Sequence, residues 1–152
     1  MAFALATILS YLTFGSSFLV SFMGSDENVS NKFVHVDVAV STSTLKPGQQ
    51  AELRLMFKPV DGIHVTIDPP VEIKVEPKGI FFLKGESRRP VDKSSGYLSS
   101  AEPVVQRFTI SKNAQAGNHA LKASIIYYFC SDDEGWCRKF TMPVELNFTV
   151  KK

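Results

Sequence analysis

Cysteine is scarce in this chain: there are two in 152 residues, alongside a single tryptophan. That scarcity excludes a disulfide-dense scaffold, and the spacing matches no standard zinc pattern. Charge of one sign is missing too. The net charge is +2, from 17 basic and 15 acidic side chains, which leaves no electrostatic footprint for nucleic acid. No basic run or acidic tail appears. No nucleophile elbow, phosphate loop or paired-carboxylate motif is present. No cofactor is expected. After residue 30 no amphipathic helical pattern of useful length occurs, and there is no internal repeat or low-complexity tract.

The first 25 residues, MAFALATILSYLTFGSSFLVSFMGS, carry no charged side chain. That length suits a secretory signal or a single membrane anchor. No Lys or Arg precedes the apolar run, and Gly15–Ser17 is the best candidate for cleavage. A helix buried in a soluble core is disfavoured, because the segment is apolar on every face. The expected organisation is a signal peptide or anchor over 1–25, a polar linker over 26–32 and one domain over 33–152. The expected location is then the periplasm, by export, with a possible tether to the inner membrane. About 125 residues remain for the domain, enough to bury a core without help from a disulfide. The sequons Asn28-Val29-Ser30 and Asn147-Phe148-Thr149 read as chance matches.

What is present is period-two alternation. Val34, Val36, Val38 and Val40 share one face. Ala51, Leu53, Leu55 and Phe57 alternate with Glu52, Arg54, Met56 and Lys58. Asp61-Gly62 signals a turn before Ile63, Val65 and Ile67. Pro69-Pro70 breaks the run before Val71, Ile73 and Val75, and Ile80–Leu83 reads as a short strand. Lys84–Pro103 is polar and reads as a long loop. Val104, Gln106, Phe108 and Ile110 open a further strand, and two long strands close the chain. Seven or eight short strands at this spacing predict an all-β, immunoglobulin-like antiparallel β-sandwich.

The two cysteines, Cys130 and Cys137, lie seven positions apart in YYFCSDDEGWCRKF, bracketing an acidic turn. Outside the cytosol such a pair is normally oxidised. On the last strand Phe140, Met142, Val144, Leu146, Phe148 and Val150 form the apolar face, so Cys137 and Lys139 point outward, and Trp136 packs under the hairpin. On the strand before, Leu121, Ala123, Ile125, Tyr127 and Phe129 form the apolar face, so Cys130 points outward as well. An immunoglobulin core disulfide joins inward positions far apart in sequence; this pair does neither. Directly opposed antiparallel residues lie within the reach of a disulfide. So short a loop contributes only about 2.5 kcal/mol in the chain-entropy model. The spacing alone leaves a redox bond and an inert hairpin staple both open. A metal site from the cysteines with His64 and His119 is a remote alternative, and His64 either approaches the cysteines or sits on a strand surface, the surface reading being favoured.

Three stretches resemble the N-terminal periplasmic domain of the thiol:disulfide interchange protein DsbD. They are Asp61-Gly62-Ile63-His64-Val65, Asn113-Ala114-Gln115-Ala116-Gly117, and Tyr127-Tyr128-Phe129-Cys130 with Gly135-Trp136-Cys137. The resemblance covers about Phe33 to Val150, with one more residue between the cysteines than in that family. It implies an immunoglobulin-like sandwich that shuttles electrons by thiol–disulfide exchange. Cys137 would form the mixed disulfide and Cys130 would resolve it. A capping segment would match Ser94–Glu102, with Tyr97 as its aromatic. The implied partners are a thioredoxin-like or membrane electron donor and exported disulfide-containing proteins, met by a monomer. Arg138 and Lys139 would stabilise a thiolate at Cys137, and Asp132, Asp133 and Glu134 would oppose it. The competing reading is a non-catalytic exported binding module whose hairpin disulfide is only structural.

Overall fold

A computed structural model describes residues 31–76 and 79–152. The expected leader over 1–25, most of the linker and the Asn28 sequon lie outside the described residues. Among the described residues there is no helix, and so none long and apolar enough to cross a membrane. The described residues form nine strands: β1 (Val34–Val40), β2 (Thr44–Leu45), β3 (Gln50–Pro59), β4 (Ile63–Val65), β5 (Glu72–Glu76), β6 (Phe81–Arg88), β7 (Val104–Ile110), β8 (Gly117–Ser131) and β9 (Trp136–Val150).

The strands form the two sheets of an immunoglobulin-like β-sandwich. One sheet has the order β1-β3-β7-β6, and the other β2-β9-β8-β4, with β5 also paired to β8. β4 and β5 share one edge of β8: β4 runs beside Phe129–Ser131 and β5 beside Lys122–Ile126. The alternation in the sequence sets the inward faces. Val34, Val36, Leu53, Leu55 and Phe57 from one sheet meet Ile125, Tyr127, Met142 and Phe148 from the other, all buried. One pairing departs from a purely antiparallel sandwich: β2 runs parallel to β9, Thr44 opposite Thr149 and Leu45 opposite Val150.

The core is closed at one end by an aromatic cluster. Tyr127 is fully buried and meets Phe57 edge-on, with ring centroids 5.2 Å apart. Burial pushes its phenol pKa far above the usual tyrosine range. The phenol oxygen accepts a hydrogen bond from Asn31 Nδ2 at 2.8 Å, and Asn31 Oδ1 accepts from the backbone N–H groups of Phe33 and Val34. Asn31, at the end of the expected linker, is therefore already part of the domain's bonding.

The long loop expected over Lys84–Pro103 is shorter than its composition suggested. β6 continues to Arg88, pairing with β7 across a register shift between Lys84 and Arg88. Its polar sequence hid it, because β6 is an edge strand that buries little beyond Phe81. Gln106 sits at an inward position of β7 and is 3% exposed. Its amide nitrogen donates to the carbonyls of Lys84 and Arg107, at 3.2 and 2.8 Å, and its carbonyl accepts from Ser87 Oγ at 2.6 Å. A buried amide is tolerated there because its hydrogen-bonding groups are met at the bulge.

Candidate functional site: a disulfide on the outer face of the hairpin

β8 and β9 form a hairpin of fifteen paired positions, closed by the turn after Ser131. Gly135 adopts φ +66° at the end of that turn, a backbone conformation that suits glycine, and its N–H donates to the Ser131 carbonyl at 3.0 Å. Cys130 and Cys137 are direct partners in the ladder, with Cα atoms 4.1 Å apart, and are joined as a disulfide. The described residues contain no free cysteine.

Both cysteines point away from the core, as their parity in the alternation requires, but their surroundings differ. Cys137 is exposed, whereas Cys130 is 7% exposed. The asymmetry follows from position. Cys137 has a partner strand on one side only at this level, while Cys130 lies between β9 and β4.

On the far side of Cys130 its partner is His64, so His64, Cys130 and Cys137 form one row across three strands. The register puts His64 beside the cysteines, the less favoured of the two placements expected from the sequence. The His64 ring is stacked on Tyr97, with centroids 4.5 Å apart and planes 6° from parallel. Tyr97 Oη donates to Asp132 Oδ1 at 2.7 Å, and the other oxygen of Asp132 lies 3.6 Å from His64 Nε2. One carboxylate thus holds the phenol and the imidazole together. The hydrogen bond to Asp132, more than partial desolvation, raises the Tyr97 pKa above the usual tyrosine range.

Tyr97 is delivered by a self-closed loop. Val91 and Leu98 form an isolated bridge, the Asp92 N–H donates to the Tyr97 carbonyl, and that of Gly96 donates to the Asp92 carbonyl. The Asp92 carboxylate accepts from the N–H and hydroxyl of Ser94, which lowers its pKa below the usual aspartate range. Leu98 is buried, and its N–H donates to the Val65 carbonyl at 2.9 Å, pinning the loop to β4. The segment expected over Ser94–Glu102 therefore lies against the strand that carries His64.

The remaining candidate residues divide between the two faces. Lys139 shares the cysteine face, with its ammonium 5.9 Å from the Tyr128 ring centroid. Arg138 does not: its guanidinium lies over Trp136 at 4.5 Å and near Phe33 at 5.6 Å. Adjacent strand positions face opposite ways, so sequence proximity to Cys137 does not bring Arg138 to the sulfur. Trp136 packs edge-on against Phe33 and Phe129, and its indole N–H donates to the Glu134 carboxylate. Of the three acidic turn residues, Glu134 is thus engaged with the indole and Asp132 with the cap. His119, weighed above as a metal ligand, lies at the far end of β8, and the described residues hold no group of three or more potential metal ligands.

No family model matches the chain, and no curated protein matches it. Among solved structures it is similar to the ZirS C-terminal domain, at 15% identity and TM-score 0.44, covering 99% of this chain and 88% of that one. It is also similar to the DsbD N-terminal domain of Neisseria meningitidis in the reduced form. That match has 17% identity and TM-score 0.34, and covers 77% of this chain and 84% of that one. A third is the collagen adhesin of S. aureus, at 13% identity and TM-score 0.33, covering 79% and 43%. Likenesses this distant carry no argument about activity. The sandwich rests on the strands and sheets described above.

Proposed function

We propose that this domain is an exported thiol–disulfide exchange module that works through the Cys130–Cys137 couple. The observation that carries the reading is the placement of the disulfide: on the outer face of a hairpin, with one sulfur-bearing residue exposed and the other covered. A bond whose task is to hold two sheets together belongs between them. This one joins neighbours already paired along fifteen positions, where closing the loop adds only about 2.5 kcal/mol.

The difference in exposure supports one order of events. A partner thiolate attacks Sγ of Cys137, the bond to Cys130 breaks, and its electron pair leaves with the Cys130 sulfur. A second thiol on the partner then displaces Cys137, which leaves the partner oxidised and this domain reduced. In the other direction, the Cys137 thiolate attacks an acceptor disulfide and expels one acceptor thiolate. Cys130 then attacks Cys137, re-forming the disulfide and releasing the reduced acceptor. The donor is a thioredoxin-like or membrane electron-transfer protein, and the acceptors are exported proteins with disulfides.

The deciding measurement is the reduction potential of the couple, by equilibration in glutathione or dithiothreitol buffers. A value between about −180 and −270 mV, where exchange proteins lie, is expected. A value below about −300 mV, as for structural disulfides, would leave a stapled binding module.

A further inference from the structure

Cys130 meets a difficulty that Cys137 does not. When the disulfide opens, the electron pair arrives on a sulfur whose residue is 7% exposed. Burial disfavours a thiolate. The acidic side chain of Asp132, two positions along, disfavours it further. The cation of the adjacent pair that shares its face is Lys139, which lies towards Tyr128. A leaving group in such surroundings departs far more readily if it is protonated as it leaves.

The residue placed to do this is His64. It stands directly opposite Cys130 in the β4–β8 ladder, and side chains of opposed residues share a face with Cβ atoms about 4.5–5.5 Å apart. Its ring is stacked on the parallel ring of Tyr97, and its Nε2 lies 3.6 Å from a carboxylate oxygen of Asp132. The charged and titratable groups around it are Tyr97 from the cap loop, Asp132 and Asp133 from the hairpin turn, Tyr128 on β8 and Lys139 on β9. Asp133 comes close to the Gly62 turn that leads into β4. Among these groups, imidazole is the one whose ordinary titration spans neutral pH.

We propose that His64 is the proton donor and acceptor for Cys130. As a partner thiolate bonds to Cys137 and the disulfide breaks, the His64 imidazolium passes its proton to the departing Cys130 sulfur, leaving a neutral thiol and a neutral imidazole. In resolution the imidazole takes that proton back as Cys130 attacks Cys137 and the acceptor thiolate leaves. This assignment rests on the reading above that the disulfide opens and closes in function. Tyr97 and Asp132 are positioning residues: they hold the ring at the opposed position.

The test is the rate of reduction of the disulfide by dithiothreitol across the imidazole titration range, corrected for the thiolate fraction of the reagent. The corrected wild-type rate is expected to fall as pH rises. His64→Phe keeps an aromatic ring for Tyr97 to stack on but carries no proton. It is expected to flatten the profile and to slow the acidic end by at least about tenfold. His64→Gln is expected to behave the same way. A flat wild-type profile, or a folded variant that keeps the wild-type rate and pH dependence, would overturn the assignment. The reduction potential judges the shuttle separately. A structural potential would remove the shuttle without changing the profile, and a flat profile would remove His64 without changing the potential.

Discussion

A histidine lies stacked on an aromatic ring beside each end of the β8–β9 hairpin, and the two ends have little else in common. At the turn end His64 lies on Tyr97, beside a carboxylate and opposite a disulfide. At the far end His119 lies on Phe148, with centroids 5.4 Å apart and planes 17° from parallel, and its Nε2 meets the backbone carbonyl of Gln115 at 2.8 Å. Thr149 and Asn118 share a hydrogen bond there, and β2 adds two residues in parallel. The same ring stacked in the same way is part of the packing at one end and lies beside the disulfide at the other. The difference lies in the neighbours, which three separate segments bring to the turn end.

That contrast breaks most visibly at the far end. Phe148 is 5% exposed and packs edge-on against Phe81 across the sandwich. Phe148→Ala is expected to lower the unfolding free energy by about 3–5 kcal/mol. Urea denaturation would measure this, and the reduction potential of the disulfide should stay where it was. A matching shift in potential would mean that the two ends are not independent.

Removing both cysteines tests the turn end. Cys130→Ala with Cys137→Ala is expected to cost no more than about 2.5 kcal/mol and to leave the sandwich intact, seen as an unchanged far-ultraviolet circular dichroism spectrum. Loss of the fold would mean that the bond is a structural necessity.

The smallest effect concerns the cap. Asp132→Ala removes the hydrogen-bond acceptor that raises the Tyr97 pKa, and the charge with it. The phenol is expected to titrate at lower pH in the variant, as read by ultraviolet difference absorbance. The sign of the linkage follows: a raised phenol pKa means that the cap contact contributes fully below the ordinary tyrosine pKa and is lost as pH rises through the folded one. An unmoved titration would show that Tyr97 is not latched to the hairpin in solution.

Much of the fold was legible because one rule governs it. Alternation placed Leu53, Leu55, Phe57, Met142 and Phe148 inward, and the same parity turned both cysteines outward. Where a strand buries little, the rule has little to read. β6 escaped notice beyond Leu83 because polar residues follow on a sheet edge, and Gln106 gave no sign that it fills a bulge. The site was legible only along the chain. Cys130, Cys137 and the acidic turn are neighbours in sequence, but His64 joins them through strand register. Nothing local to residues 61–67 states which strand β4 will pair with. Arg138 illustrates the converse: proximity in sequence suggested a partner for Cys137, and the pleat turned it to the other face.

The bulge in β6 bears on how readily that sheet edge could be extended. An open sheet edge offers unpaired N–H and C=O groups as a template on which another chain can extend the sheet. Here the run of regular pairing along that edge is interrupted between Lys84 and Arg88, with Gly85 at φ +64°. Lys84, Glu86 and Arg88 add charge along the same strand. A second copy laid along β6 would lose register after a few residues and would have to bury charge to continue. The polar stretch that disguised the strand in the sequence is thus also a poor template for edge-to-edge pairing.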